Sequence, residues 1–177
     1  MPRVLGIAEL GEEVLLKRAE PVKDIIAPEI QELIGDMLAT LKYVNGVGLA
    51  APQVFRPLRI FVVHSHPTPR YPKAPVFGPE VMINPSFSVS PISLKERDWE
   101  GCLSIPGIRG VVSRYKEITA RYQARDGQTK EIALEGFLAR VFQHELDHLD
   151  GVLFISRVVD WKELATEKIW QNLKASS

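Results

Sequence analysis

The residues with the clearest capacity for chemistry lie in the stretch Gln143–Asp150, which reads QHELDHLD. Within it, His144 and His148 stand four residues apart and Glu145 follows the first histidine, which makes an HExxH pattern. Side chains four residues apart stack on one face of a helix, so both imidazoles can reach one cation about 2 Å away. Glu145 lies one step round the helix, where its carboxylate can take a proton from an activated water and pass it to a leaving group. The spacing therefore predicts a metal site with a general base.

A catalytic metal site with an open position needs a third protein ligand, and Cys102 is the leading candidate. It lies in EGCLSIP at 100–106, where the preceding glycine and a proline four residues later favour an extended, rigid segment. A lone cysteine is more often a small buried apolar side chain, but the neighbouring HExxH pattern favours a ligand here. His64 and His66 alternate around a serine in a proline-rich segment, and we expect both to be solvated.

A third unusual stretch, GVGLAAPQ at 46–53, combines two glycines, two alanines and a proline. Glycines allow positive φ and the close approach of another backbone. The simplest interpretation of the stretch by itself is a helix stop followed by small-residue packing. A dinucleotide-binding loop is excluded, because GxGxxG is absent and no predicted strand leads into the segment.

Three helices are predicted to position these residues. Apolar residues at helical spacing predict the first helix, and Asn45-Gly46 follows it as a stop. The second carries the HExxH pattern and is closed by Gly151. Asp160 and Glu163 have capping-box spacing, so the last helix should begin at Asp160. The expected helices are 28–43, 136–149 and 160 to about 173.

Strands are expected early and in the middle of the chain. The segment 58–63, LRIFVV, is short, apolar and β-branched, which predicts a buried strand. Asp126-Gly127 is typical of a hairpin turn between strands at 118–124 and 130–134, and 81–84 is a further short strand. The segment 64–80 holds five prolines and should be a surface excursion. Strands with helices scattered between them predict an α+β fold, with antiparallel or mixed sheets around a central HExxH helix and a C-terminal helix.

Length and composition narrow the class of protein. The 177 residues correspond to one compact domain over residues 1–177. Lys and Arg together number 22, as do Asp and Glu, so no net charge draws the chain to nucleic acid or to a membrane surface. One cysteine excludes an intrachain disulfide, and no apolar run approaches the ~20 residues of a membrane span. The N-terminus MPRVLGIAELGEE has no long apolar segment of the kind found in signal peptides, so we expect a protein of the bacterial cytoplasm. A processed organellar protein is the alternative.

The three unusual stretches, in this order, resemble the signature motifs of the peptide deformylases. The family patterns are GxGLAAPQ, EGCLS(V/I)P and QHExDHLxG, and this chain has GVGLAAPQ at 46–53, EGCLSIP at 100–106 and QHELDHLDG at 143–151. HExxH alone occurs in many unrelated hydrolases, whereas the three motifs together are specific to this family. The resemblance extends to the flanks and covers nearly the whole chain.

The resemblance implies removal of the N-formyl group from the formylmethionine that begins nascent chains, with release of formate. Cys102, His144 and His148 would hold the metal, and Glu145 would be the general base and acid. The side chain of Gln53 and the backbone N–H of Leu103 would stabilise the oxyanion that forms at the formyl group. The resemblance also implies Fe²⁺ as the metal, with zinc or nickel able to substitute.

Substrate-binding residues are carried over from the same motifs. Gly48, with Gly46 and Val47 before it, would lie beside the substrate backbone as a strand-like partner. Arg109 matches a position that contacts the substrate chain further along. Arg140 and Val141 stand where many bacterial members have apolar residues that line the methionine pocket. For Arg140 we favour a packed stem with its head in solvent over a residue that reshapes the pocket rim.

Two rival functions and one further partner stay open. A zinc endopeptidase would also use HExxH, but its third ligand is expected downstream rather than at an upstream cysteine. A non-catalytic metal-binding or nascent-chain-binding module needs neither Glu145 nor Gln53. The C-terminal helix, with Lys162, Lys168 and Lys174, could dock on the ribosome near the peptide exit, although Glu163 and Glu167 dilute that charge.

Overall fold

The computed structural model describes residues 2–68 and 70–175 and confirms the α+β class. Three α-helices and eight strands are joined by short 3₁₀ turns at Glu13–Leu16, Ala51–Val54, Phe154–Arg157 and Trp161–Glu163. The helices are α1 (Pro28–Tyr43), α2 (Gly136–Leu149) and α3 (Glu167–Ala175). The strands are β1 (Gly48–Ala50), β2 (Ile60–Ser65), β3 (Phe77–Ser88), β4 (Lys95–Cys102), β5 (Ile105–Tyr115), β6 (Glu117–Gln123), β7 (Thr129–Glu135) and β8 (Leu164–Thr166).

The strands form two antiparallel sheets. The five-stranded sheet has the order β1-β2-β3-β6-β7, and the three-stranded sheet has the order β4-β5-β8. β1 is an edge strand, paired on one side with β2 through Gly48 opposite Val63. β4 and β5 form a hairpin whose register shifts between Gly101 and Cys102, just before its turn. The two sheets thus bring a free strand edge and a hairpin tip towards the same helix.

Helix α2 occupies the centre of the molecule, as expected for a helix that carries the HExxH pattern. Its apolar residues pack on the five-stranded sheet, with the ring of Phe142 at 5.2 Å from that of Phe61. Its other face carries His144 and His148, which are also buried. Gly151 ends the helix with φ of 73°, and a Cβ there would lie 2.7 Å from the carbonyl oxygen of Leu16. Burial on both faces explains why nearly all of α2 is inaccessible to solvent.

The sequence prediction that the C-terminal helix begins at Asp160 was wrong. Asp160 does cap a turn, because its Oδ1 accepts a hydrogen bond of 3.0 Å from the backbone N–H of Lys162. The turn is only the 3₁₀ segment Trp161–Glu163, and the chain then extends as β8. Strand pairing of β8 with β5 competes with local helix propensity here, so α3 begins only at Glu167. No helix among the described residues is long and apolar enough to cross a membrane.

Candidate active site

The three predicted metal ligands come together between α2 and the tip of the β4–β5 hairpin. Cys102 ends β4, and His144 and His148 lie one helical turn apart on α2. Their ligand atoms lie within 4.8 Å of one another, and Cys102 Sγ is 3.2 Å from His148 Nε2. Among residues 2–68 and 70–175 this is the one group of three or more such side chains that could hold an ion.

A buried carboxylate orients the first histidine. Glu100 Oε2 lies 2.9 Å from His144 Nδ1, which leaves Nε2 of that ring available for a cation. Burial acts to raise the pKa of Glu100, but hydrogen bonds and charges from His144 and Arg114 outweigh burial and hold that pKa well below its usual range. Arg114 Nε and Nη2 donate to the two carboxylate oxygens at 2.9 and 3.0 Å. The ionised Glu100 is therefore fixed in position.

Arg140 is a second arginine on the same carboxylate, and its head does not reach solvent as we had expected. Its guanidinium is buried and donates to Glu100 Oε1 at 2.9 Å. It also donates to the carbonyl oxygens of Val112 and Glu96, each at 2.8 Å. Such buried carbonyls need a donor, so Arg140 ties the three-stranded sheet to α2. The side chain still borders the cavity described below, as does that of Val141.

The network continues under α2 through Asp147. Arg114 Nη1 donates to Asp147 Oδ2 at 2.5 Å, and Arg157 Nη2 donates to Asp147 Oδ1 at 2.6 Å. Asp147 is buried, and it stands inside the HExxH segment between the two histidines. One ion-pair network therefore joins Asp147 to Glu100, which contacts His144, whereas His148 Nδ1 is buried without a hydrogen-bond partner among the described residues.

Cys102 and Glu145 have pKa values that their surroundings shift in opposite directions. Burial acts to raise the pKa of the Cys102 thiol, but the charge of His148 and hydrogen bonds to His144 and His148 hold it well below its ordinary value. The thiolate is the form that ligates metals. Burial raises the pKa of Glu145 to about 7, close to the value at which a general base works best. Its Oε2 is buried without a partner among the described residues.

Gly48 lies directly against the carboxylate of Glu145. A Cβ on Gly48 would be 2.2 Å from Glu145 Oε1 and 2.6 Å from its Cδ, far inside van der Waals contact. The edge strand β1 thus approaches α2 so closely that any side chain at this position would displace the carboxylate. The small-residue stretch 46–53 is therefore more than a helix stop with compact packing.

Gln53 and Leu103 border the same centre from two sides. The side-chain oxygen of Gln53 accepts a hydrogen bond of 2.8 Å from the backbone N–H of Ala50, which fixes the orientation of the amide. Its Nε2 then lies 3.1 Å from Ser104 Oγ and 3.5 Å from Cys102 Sγ. Leu103 occupies the short turn between β4 and β5, next to the ligand Cys102.

These residues line a cavity of about 830 Å³. Gly46, Val47 and Gly48 form one edge, and Cys102, His144 and Glu145 lie at one end. Another part of the lining consists of residues that the sequence motifs did not indicate: Tyr71, Glu167, Trp170 and Lys174. Trp170 in the short C-terminal helix was the one local signal for them.

Arg109 contacts several of these lining residues and also lies beside Gly101, the residue before Cys102: a Cβ on Gly101 would be 2.5 Å from Arg109 Nη1. Its guanidinium donates to the carboxylate of Glu167, with Nε to Oε2 at 2.5 Å, and to the hydroxyl of Tyr71. Its Cζ also lies 4.3 Å from the centre of the Trp170 ring. His64 and His66 are half-buried rather than solvated, with ring centres 4.9 Å apart, and neither borders the cavity.

Comparisons with family models and with known proteins find the same family. A family model described as polypeptide deformylase matches residues 4–164. Peptide deformylase 2 of a Nostoc species is 47% identical over 172 residues, which is 97% of this chain and 96% of that relative. A peptide deformylase of Dictyoglomus thermophilum is 43% identical over 162 residues, which is 92% of this chain and 97% of the relative.

Solved structures share the fold. The class I type b peptide deformylase of Acinetobacter baumannii bound to Met-Ala-Ser is 41% identical, with a TM-score of 0.84 over 89% of this chain and 100% of that chain. The peptide deformylase of Synechococcus elongatus in complex with actinonin is 36% identical, with a TM-score of 0.79 over 90% of this chain and 81% of that chain.

Proposed function

The chain belongs to the polypeptide deformylase family, and on that premise we propose how its own residues remove the formyl group from nascent polypeptides. The enzyme is a hydrolase that releases formate from the blocked N-terminus. The proposal for its site rests on one observation: residues of all three motifs line the same cavity. Gln53 from the first, Cys102 from the second, and His144 and Glu145 from the third all border it.

Cys102, His144 and His148 would hold the metal ion. One thiolate and two imidazoles within 4.8 Å of one another suit a divalent transition metal, and the Nδ1 of His144 is already engaged by Glu100. When bound, the ion supplies Lewis acidity and lowers the pKa of a water molecule. Fe²⁺ is the ion proposed for the cell, with zinc or nickel able to replace it. Protein purified without oxygen should contain iron, and zinc alone with no gain in activity on iron reconstitution would contradict this choice.

Glu145 acts first as the base and then as the acid. Its carboxylate takes a proton from the attacking water as the water oxygen bonds to the formyl carbon. It then delivers that proton to the methionine nitrogen as the C–N bond breaks, so that formate and a free amine leave. The buried and unpartnered Oε2 of Glu145 supports this role, as does the raised pKa of the group.

Gln53 and Leu103 stabilise the charge that develops on the formyl oxygen. The Gln53 amide is held by Ala50 so that its N–H groups face Cys102 and Ser104, and the backbone N–H of Leu103 supplies the second donor. Donors that are already oriented cost no reorganisation during the reaction. Loss of one such donor typically costs about 10²–10³ in rate.

The peptide binds along the free edge of β1. Gly46, Val47 and Gly48 border the cavity, and the edge of β1 opposite β2 is open to pair with an extended substrate backbone. Val141 borders the same cavity, together with the stem of Arg140, and we assign both to the pocket for the methionine side chain. Arg109 contacts the peptide beyond the methionine.

A formylated peptide and its unformylated counterpart separate this function from its rivals. Iron-loaded enzyme should release formate from formyl-Met-Ala-Ser and leave unformylated Met-Ala-Ser intact. Cleavage of the peptide bonds of an unformylated peptide would instead support an endopeptidase. Metal binding without either reaction would support a binding module.

The ribosome is a proposed partner through the exposed lysines near the C-terminus. Lys162, Lys168 and Lys174 are all exposed, and Lys174 also packs over the rings of Trp170 and Tyr71. A substrate made by ribosomes also places the enzyme where translation occurs, which we propose is the cytoplasm. The double variant Lys162→Gln, Lys168→Gln should weaken salt-sensitive cosedimentation with ribosomes, and unchanged cosedimentation would contradict the proposal.

A further inference from the structure

One wall of the cavity is built largely by residues outside the three motifs. Tyr71 comes from the segment between β2 and β3, and Trp170 and Lys174 come from α3. The family model matches residues 4–164, so α3 lies beyond the part that it describes. Trp170 is nevertheless 2% exposed, which makes it one of the most buried large side chains of the molecule. This helix is thus an integral part of the cleft wall.

Cationic side chains predominate on this wall, which we call the α3 wall. It consists of Arg70, Tyr71, Lys73, Arg109, Trp170 and Lys174. In the described part of the chain, Glu167 is the carboxylate within ion-pair distance of this group, and it pairs with Arg109. Four cations therefore face one acid.

The other acidic residues of the cavity are engaged elsewhere. Glu145 lies beside the metal ligands, and Glu100 is paired with Arg114 and Arg140. The carboxylate of Asp98 accepts a hydrogen bond of 2.7 Å from the backbone N–H of Trp99. In the described part of the chain, none of these three acids forms an ion pair with a cation of the α3 wall.

The aromatic residues of the α3 wall hold the cations at its surface. Lys174 Nζ lies 4.7 Å from the centre of the Trp170 ring and 5.5 Å from that of Tyr71. Among the described residues, the rings rather than an ion pair hold this ammonium group against the cavity wall. The indole Nε1 of Trp170 is buried and has no acceptor among the described residues, so the wall also contains an unused donor.

We propose that the α3 wall is a subsite for an acidic side chain of the nascent peptide, downstream of its formylmethionine. The proposal rests on the deformylase function, because a peptide that starts at the metal end extends along the cavity towards this wall. A carboxylate there meets the cationic side chains of Lys174, Arg70 and Lys73. Charge at this position acts on substrate choice and leaves the chemistry at the formyl group unchanged.

The test compares amidated formyl tetrapeptides in which Glu, Gln or Lys occupies the second, third or fourth position. Amidation removes the terminal carboxylate, so only the side chain differs. At one position, kcat/KM for Glu should exceed that for Lys by about three- to tenfold, with Gln between them, and 0.5 M salt should reduce the ratio. Formyl-Met-Ala amide is the short substrate that reports the basic reaction.

Two lysines of the same helix give matched variants. Lys174→Gln should lower the ratio of kcat/KM for the Glu peptide to kcat/KM for the Lys peptide by at least half. The side chain of Lys168 does not border the cavity, so Lys168→Gln should leave this ratio unchanged. Both variants should process formyl-Met-Ala amide like the unaltered enzyme. Equal rates for Glu and Lys peptides at every position, or equal effects of the two variants, would overturn the subsite. Absence of formate from every peptide, the short one included, would instead overturn the deformylase function and the subsite with it.

Discussion

Gly48→Ala is expected to inactivate the enzyme while leaving its metal in place. The added Cβ would lie 2.2 Å from Glu145 Oε1, 2.6 Å from Cδ and 2.8 Å from Cγ. Carbon contacts are optimal at about 3.5–4.0 Å, so the carboxylate must move by about 1 Å or more. A misplacement of about 1 Å can cost 10²-fold in rate, and general acid–base catalysis contributes about 10²–10⁴-fold. We therefore expect kcat to fall by at least about 10²-fold.

The assay measures formate release at saturating formyl-Met-Ala-Ser together with the metal content of each variant. Gly35→Ala is the matched control, because the nearest atom to its new Cβ is 3.9 Å away, on Pro2. Gly35 lies inside α1, so alanine there should stabilise the fold by up to about 1 kcal/mol and leave kcat unchanged. A Gly48→Ala enzyme with full metal and kcat within threefold of the unaltered enzyme would refute the proposed constraint on Glu145.

Three other substitutions test the groups around the metal ligands. Arg140→Met should lower metal affinity by about 10–100-fold in a chelator competition, because Glu100 loses one of its two arginines. Arg140→Lys should restore part of that affinity. Equal affinity in the unaltered enzyme and both variants would exclude a positioning role for Arg140. Gln53→Ala should lower kcat by about 10²–10³-fold with a full complement of metal, whereas a change in KM alone would remove Gln53 from the reaction. Asp147→Ala should reduce the free energy of unfolding by about 3–5 kcal/mol, because the buried charge of Arg114 would lose one of its partners. Denaturant unfolding measures this change, and a loss below about 1 kcal/mol would contradict the ion-pair network through Asp147.

The helices were predictable where apolar periodicity and stop signals agree. The bounds expected for α1 and α2 match those observed, because each helix buries a stripe at helical spacing and ends at a turn with a glycine or asparagine. The hairpin of β6 and β7 was also predicted through its Asp126-Gly127 turn. The strands β4 and β5 were missed. The first half of β4 is exposed, so its sequence lacks the apolar alternation that marks a strand.

The spacing and the motifs brought forward the three proposed metal ligands, which the fold places together, but they did not indicate the side chains that surround them. The contacts of Arg140 with Glu100 join residues 40 positions apart in the chain, and only the packed sheet and helix bring them together. The α3 wall shows the same limit, because Arg109 and Tyr71 are 38 positions apart in the chain and come into contact only in the folded protein. α3 began later than expected because the pairing of β8 with β5 depends on a tertiary contact that local capping signals do not report.

Formate release by the iron-loaded enzyme and its Glu145→Ala variant is the most direct test of the assigned reaction. Both proteins are reconstituted with Fe²⁺ without oxygen, checked for equal metal content, and given formyl-Met-Ala-Ser. The unaltered enzyme should release one formate per peptide, and the variant should retain the metal and lose at least about 10²-fold in kcat. Equal turnover by the two proteins would contradict the role of Glu145, and absence of formate from the metal-loaded unaltered enzyme would contradict deformylation itself.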